Sequence, residues 1–139
     1  MTYQITSTKA LVIFLWLIAI HSFAVGLGLI FMPYSVMERL GYAGCMERFF
    51  RAQGGVFHLV MSIGYVMAAM RARQFECLII FSIVVKLAAT VFLFIYAALV
   101  KHLAVIVLSG VIDFFMGAVL LYLFHHAKRK IRWKINCRL

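Results

Sequence analysis

Four long apolar runs, separated by short polar segments, dominate the pattern of the chain. The runs cover about residues 10–32, 49–70, 75–100 and 103–125, and a helix needs about 20 apolar residues to cross a bilayer. Backbone groups in hydrocarbon must bond within their own segment, and the ten-residue alternation of a membrane β-barrel is not seen. The sequence therefore predicts an all-α integral membrane four-helix bundle, formed by residues 1–139 as one domain.

The connections between these runs are short, so consecutive helices are expected to be antiparallel neighbours. The longest connection, Pro33–Arg48, carries apolar side chains at Tyr34, Met37 and Leu40. This spacing predicts a short helix that lies flat at the membrane interface before Gly41.

Composition supports a membrane protein and argues against a nucleic-acid-binding one. The chain is 66% hydrophobic and only 13% charged, whereas soluble domains are about half apolar and about a quarter charged. Its net charge of +10 lies in polar segments between the apolar runs and forms no basic face interleaved with aromatic residues. We therefore assign the charge to membrane topology and to anionic lipid.

The basic residues also predict an orientation. Nine lie on the side of the two termini, against four on the opposite side. Because cytoplasmic loops are enriched in Lys and Arg, both termini are expected in the cytoplasm. Five residues of the basic tail at 126–139 are expected to contact anionic headgroups: Lys128, Arg129, Lys130, Arg132 and Lys134.

Each apolar run carries one ionisable residue near its middle. These residues are His21, His58, Lys86 and Asp113. A charged group at this depth costs about 2.5–3.5 kcal/mol on insertion scales, so such groups normally face the bundle interior and pair with one another. Small and polar residues at helical spacing, among them Ser109 beside Asp113, are expected to share these inward faces.

Lys86 and Asp113 form the sharpest predicted pair. They lie at depths that differ by roughly 5–6 Å when measured from the turn near residues 101 and 102, which is within reach of a lysine side chain. The sequence predicts an ion pair or hydrogen bond between them. Its role could be to fix helix register, or to handle protons or a ligand.

Further residues extend this cluster along the second run. Ser62 and Tyr65 share the helix face of His58, and Arg51 lies about two turns above it. Arg51 could hold an anionic headgroup or a polar ligand over the cluster, or it could simply extend to the interface. The candidate ligand-binding cluster is His21, His58, Lys86, Asp113, Arg51, Ser62 and Tyr65.

The two histidines leave several chemistries open. As a facing pair, His21 and His58 could ligate a b-type haem, or they could join Asp113 in a metal site. Hydrogen bonding to a neighbouring helix is the alternative, and no H-x-x-x-H or E-x-x-H motif supports a metal. Catalytic residues are not assigned, because P-loop, G-x-S-x-G, H-E-x-x-H and dinucleotide-binding motifs do not occur.

The segment GLGLIFMPYSVMERLGY, followed by ERFFRAQGGVFHLVMSIGYVMAA, resembles the small bacterial DoxX-like four-helix membrane proteins. The shared pattern is a first span ending at Pro33, a Gly41-aromatic step, and a second span with Arg51 and a glycine pair near its start. The resemblance covers about half of the chain. It implies a four-helix bundle in a bacterial cytoplasmic membrane, and in that family some members are subunits of quinone-linked oxidoreductases.

These observations favour a small non-catalytic membrane subunit or binding protein. Its interior cluster would hold a lipid, a quinone or a partner membrane subunit. The alternative is a redox or proton-handling protein, with haem on His21 and His58 or a relay through Lys86 and Asp113. A membrane enzyme acting on lipid is the third hypothesis. Because four helices make a thin bundle, a homo-oligomer or a place in a larger membrane complex is also expected.

Overall fold

The computed structural model describes residues 2–42, 48–72 and 74–136, and the side chains within 9–42, 48–72 and 74–128. The helices are α1 (Thr2–Phe31), α2 (Tyr34–Arg39), α3 (Arg48–Met70), α4 (Glu76–Leu99) and α5 (Ala104–Asn136). Over these ranges the chain forms helices and turns but no strand, as predicted.

Within the described part of the chain, four helices are long and apolar enough to span a membrane, as predicted from the four apolar runs. The qualifying segments are Lys9–Phe31, Arg48–Met70, Glu76–Leu99 and Ala104–Lys128. Their outward faces carry exposed Phe, Ile, Leu and Val side chains. Apolar patches of this extent are not stable in water, so this outer surface suits lipid.

The four long helices form a ring in which α1 packs on α3, α3 on α4, α4 on α5, and α5 back on α1. Consecutive spans are therefore neighbours, as the short connections predict. The contacts within α1–α3 and within α4–α5 are the most extensive, and those between the two pairs are smaller. The bundle thus consists of two helix pairs joined along two weaker seams.

The short helix α2 occupies the connection in which the sequence predicts one. Pro33 precedes its first residue in extended conformation, and Gly41 follows it with φ of +90°. The amides of Gly41 and Tyr42 donate to the carbonyls of Glu38 and Met37, which closes the helix end. This positive φ favours glycine, and a Cβ here would also meet Cδ2 of the Leu103 side chain at 2.9 Å.

The apolar core fills one half of the bundle. We call this the proximal half, because it contains the start of α1, the start of α4 and the end of α5. Its buried residues are Leu11, Leu15, Ile18, Ala19, Tyr65, Ala68, Ala69, Ile79, Ile83, Leu120 and Ala127. The opposite, distal half contains α2 and the 100–103 turn.

The basic tail is not a separate segment, because α5 continues without interruption to Asn136. The side chains of Arg129, Lys130, Arg132 and Lys134 lie outside the described ones. Lys128 is exposed and donates to a Glu76 oxygen at 2.8 Å, linking the end of α5 to the start of α4. This pair is solvent-screened and contributes little to stability.

Two glycines set the distance between α1 and α3. A Cβ on Gly55 would lie 2.7 Å from the Gly26 carbonyl oxygen and 2.6 Å from Ile30. A Cβ on Gly26 would lie 2.9 Å from the Gly55 carbonyl oxygen. The two backbones therefore approach as closely as small residues allow in membrane helix pairs.

We expect Gly55→Ala to destabilise the fold, because the added methyl group meets backbone that cannot move aside. Overpacking of this kind costs about 1–3 kcal/mol. Gly64→Ala on the same helix is the matched control, since a Cβ there meets nothing within 4 Å. This control should be neutral or stabilising by up to about 1 kcal/mol. The stability of both variants is measured by unfolding in detergent, monitored by circular dichroism. Equal effects of the two substitutions would contradict the close approach of α1 and α3.

Candidate functional site

The centre of the bundle contains the predicted ion pair. Lys86 on α4 donates from Nζ to Asp113 Oδ1 on α5 at 2.6 Å. Only 4% of the lysine side chain and 12% of the aspartate side chain is exposed. This contact confirms the pairing predicted from the depths of the two residues.

The local packing of α4 against α5 brings the pair together. A Cβ on Gly117 would lie 3.3 Å from Lys86 Cβ, and one on Gly110 would lie 3.4 Å from Leu93. These glycines stand four residues after and three before Asp113 on α5. Small residues on either side of the carboxylate thus let α4 come close enough for the ion pair to form.

Tyr65 connects the ion pair to α3. The residue is only 1% exposed, and Lys86 Nζ lies 5.8 Å from the centroid of its ring. This distance suits attraction between the ammonium and the aromatic face. Ser62, one turn earlier on α3, is also buried, but its hydroxyl donates to the Leu59 carbonyl of its own helix at 2.7 Å.

His58 bonds across the α1–α3 interface, as predicted for one of the two histidines. The Ser22 hydroxyl donates to the His58 carbonyl oxygen at 3.1 Å, and its oxygen lies 3.3 Å from His58 Nδ1. Because the hydroxyl has one proton, forming both bonds requires Nδ1 to be the donor of the second. In that tautomer the proton is on Nδ1 and Nε2 is an acceptor.

His21 lies beside Ser22 on α1 and belongs to the same region. The structure thus joins Lys86, Asp113 and Tyr65 by direct contact. It bonds His58 to Ser22, and His21 is the neighbour of Ser22 in sequence.

The two imidazoles differ from the ion pair in their exposure. Lys86 and Asp113 are buried, whereas His21 and His58 are half-buried. Along α3, His58 lies on the same helix face as Ser62 and Tyr65, one turn closer to the distal half. Ser62 and Tyr65 are buried, whereas His58 is only half-buried. On α1, Val25 continues the stripe of His21 and is likewise half-buried.

The opposite pair of helices remains packed at this level. Thr90 and Ala97 of α4, and Ile106 and Gly110 of α5, are buried. At the level of the histidines, the partly covered positions include His21 and Val25 of α1 and His58 of α3.

Arg51 and Ser109 do not join the cluster. Arg51 lines a cavity at the distal end, together with Arg48 and the end of α1. Ser109 is exposed and donates to the Val105 carbonyl of its own helix at 2.8 Å, so its predicted inward placement is wrong. A serine hydroxyl that donates to a carbonyl of its own helix is satisfied without a partner in the bundle interior.

Sequence reasoning missed Ser22, the α1 partner of His58. Ser22 is 1% exposed and stands four residues before Gly26, which packs on α3. This small-x-x-x-small spacing is the signal that could have identified it. Among the side chains that the structure describes, no group of three or more His, Cys, Asp or Glu could hold a metal ion.

Replacing one member of the ion pair should be far more damaging than replacing both. Lys86→Leu or Asp113→Leu leaves a buried charge unpaired, which costs about 3–5 kcal/mol. The K86L/D113L double variant should recover most of that loss. Unfolding midpoints in detergent measure the coupling, and Lys101→Leu, an exposed lysine of the distal turn, is the control. A double variant less stable than either single one would contradict the pairing.

Comparison with known proteins finds no family for the chain. No family model matches it, no curated protein matches it, and no solved structure matches it. The resemblance to the DoxX-like proteins therefore stays a prediction.

Proposed function

We propose that the chain is a small non-catalytic membrane binding protein or subunit that holds a quinone, in its quinol form, beside His58 and His21. The observation that carries this proposal is the difference in exposure within the cluster. The charged pair is buried and internally bonded, whereas the imidazoles next to it are partly accessible.

The depth of the two histidines in the membrane favours one class of ligand. His21 and His58 each lie one residue from the centre of their spans, Lys9–Phe31 and Arg48–Met70. Phospholipid headgroups lie at the surface of a hydrocarbon core that is about 30 Å thick, so they do not reach this level. A small uncharged polar ring on an apolar chain does, and the apolar helix faces suit its chain.

Hydrogen bonding at His58 favours the quinol form of the ligand over the quinone form. With its proton on Nδ1, His58 presents Nε2 as an acceptor, and a quinol hydroxyl can donate to it. A quinone carbonyl, which only accepts, gains nothing from that atom. Because Lys86 and Asp113 already satisfy each other, we propose a binding role for this cluster and no catalytic one.

Binding of decylubiquinol to the protein in lipid nanodiscs tests the proposal. We expect His58→Ala to weaken binding by about tenfold, the value of one hydrogen bond of about 1.4 kcal/mol. His125→Ala is the matched control, because His125 is exposed near the end of the candidate span Ala104–Lys128. The wild-type protein should bind decylubiquinol more tightly than decylubiquinone.

Two results would overturn this proposal. One is equal decylubiquinol affinity in the wild type, H58A and His21→Ala proteins, each checked for native helicity. The other is a Soret absorption band in the purified protein, which would instead assign the two imidazoles to a haem.

We further propose that both termini face the cytoplasm of a bacterial cell, with the protein in the cytoplasmic membrane. Lys9, Arg71 and Lys128 belong to the proximal end, where the basic segments of the sequence are concentrated. The positive-inside rule places that end in the cytoplasm. The basic tail would then lie against anionic headgroups of the inner leaflet.

Native cysteines allow a direct test of this orientation. Cys77 is exposed at the start of α4 in the proximal half, whereas Cys45 belongs to the connection between α2 and α3. In intact spheroplasts, a membrane-impermeant maleimide should label a variant that retains only Cys45. A variant that retains only Cys77 should be labelled only after the spheroplasts are lysed. The reverse labelling pattern would place both termini outside the cytoplasm.

A further inference from the structure

A second polar feature lies at the distal end, away from the histidines. A cavity of about 300 Å³ is lined by Ile30, Phe31, Met32, Pro33, Tyr34, Arg48 and Arg51. Since a water molecule takes about 30 Å³ of liquid, this space accommodates a group of several heavy atoms. The end of α1 and the start of α3 thus form a partly open pocket whose lining includes two arginines.

The pocket is lined by positive charge and contains a hydrogen-bond donor without a partner among the described residues. Nε of Arg51 is buried and has no hydrogen-bond partner among the described residues. The first turn of α3 contains Arg48 and Arg51 and no acidic residue. Among the described residues, neither arginine forms a salt bridge, since the two pairs found are Lys86–Asp113 and Lys128–Glu76. A positive charge therefore remains for a ligand.

The charge matches a phosphate better than a neutral group. Guanidinium groups donate pairs of parallel hydrogen bonds to phosphate oxygens, and such charge-assisted bonds are about twice as strong as neutral ones. The start of a long helix such as α3 adds a favourable partial positive charge.

The surroundings favour a phosphate that carries acyl chains. The candidate spans end at Phe31 and begin at Arg48, so the pocket lies at the level where headgroups meet hydrocarbon. Ile30, Phe31 and Met32 form apolar walls, and Phe31 is 74% exposed at the outer surface. An acyl chain could leave the pocket along this surface without crossing water.

We propose that this cavity binds the phosphate of an anionic phospholipid in the leaflet on the distal side, with Arg48 and Arg51 as the donors. The site is separate from the histidine cluster, from which Arg51 is about two helical turns away along α3. It is also separate from the basic tail at the opposite end of the bundle. Binding here would tie α1, α2 and α3 together at the membrane surface.

Cross-linking in nanodiscs of phosphatidylcholine doped with a photoactivatable phosphatidylglycerol tests this site. Wild-type protein should give cross-links in peptides containing residues 30–34 or 48–51. Arg51→Gln should lower them about tenfold, because charge-assisted bonds contribute about 1.5–3 kcal/mol. Arg71→Gln, an exposed arginine at the proximal end, is the matched control and should leave them unchanged.

The peptide map separates this site from lipid held by the tail, because the tail yields different peptides. Helicity by circular dichroism shows whether R51Q folds, and Arg48→Gln, at an exposed position, tests the same pocket if it does not. Undiminished cross-linking in both variants would overturn the proposal. Displacement of the lipid by millimolar inorganic phosphate would assign the pocket to a soluble phosphate compound and would overturn the lipid assignment.

Discussion

A lone ammonium or carboxylate is costly inside hydrocarbon, and this constraint organises the whole bundle. Lys86 and Asp113 avoid this cost by pairing between α4 and α5, with Nζ of Lys86 2.6 Å from Oδ1 of Asp113. The glycines beside Asp113 are small because the two helices must approach closely at that level. Tyr65 then covers the pair from α3. The register of α4 against α5 and the position of the polar cluster therefore depend on this contact.

The two halves of the bundle have different physical characters. In the proximal half, Leu, Ile and Ala side chains from all four long helices close a continuous apolar core. In the distal half, α4 and α5 remain packed, but the inward faces of α1 and α3 are only partly covered. Burial thus differs along the bundle, and the buried ion pair lies between the closed apolar core and the half-buried histidines.

Much of this arrangement could be predicted from the sequence, and the failures have physical causes. Hydropathy determines the four spans, and depth counting along adjacent spans identifies the Lys86–Asp113 pair, because unpaired charge is excluded there. Serine carries no such constraint, since it can bond the backbone of its own helix. Ser109 was therefore wrongly placed inward, and Ser22, which binds His58 across the interface, was missed. Half-burial of the histidines depends on packing between helix pairs, which periodicity alone cannot reveal.

The ion pair joins two consecutive spans, and this has a consequence for biogenesis. Residues 86 and 113 come into contact when α4 and α5 fold back on each other about the 100–103 turn. A helical hairpin can therefore carry both charges into the bilayer already neutralised, before α1 or α3 has docked. Insertion of either helix alone would expose a bare charge to acyl chains. The translocation machinery would thus be expected to release the two segments together rather than one after the other.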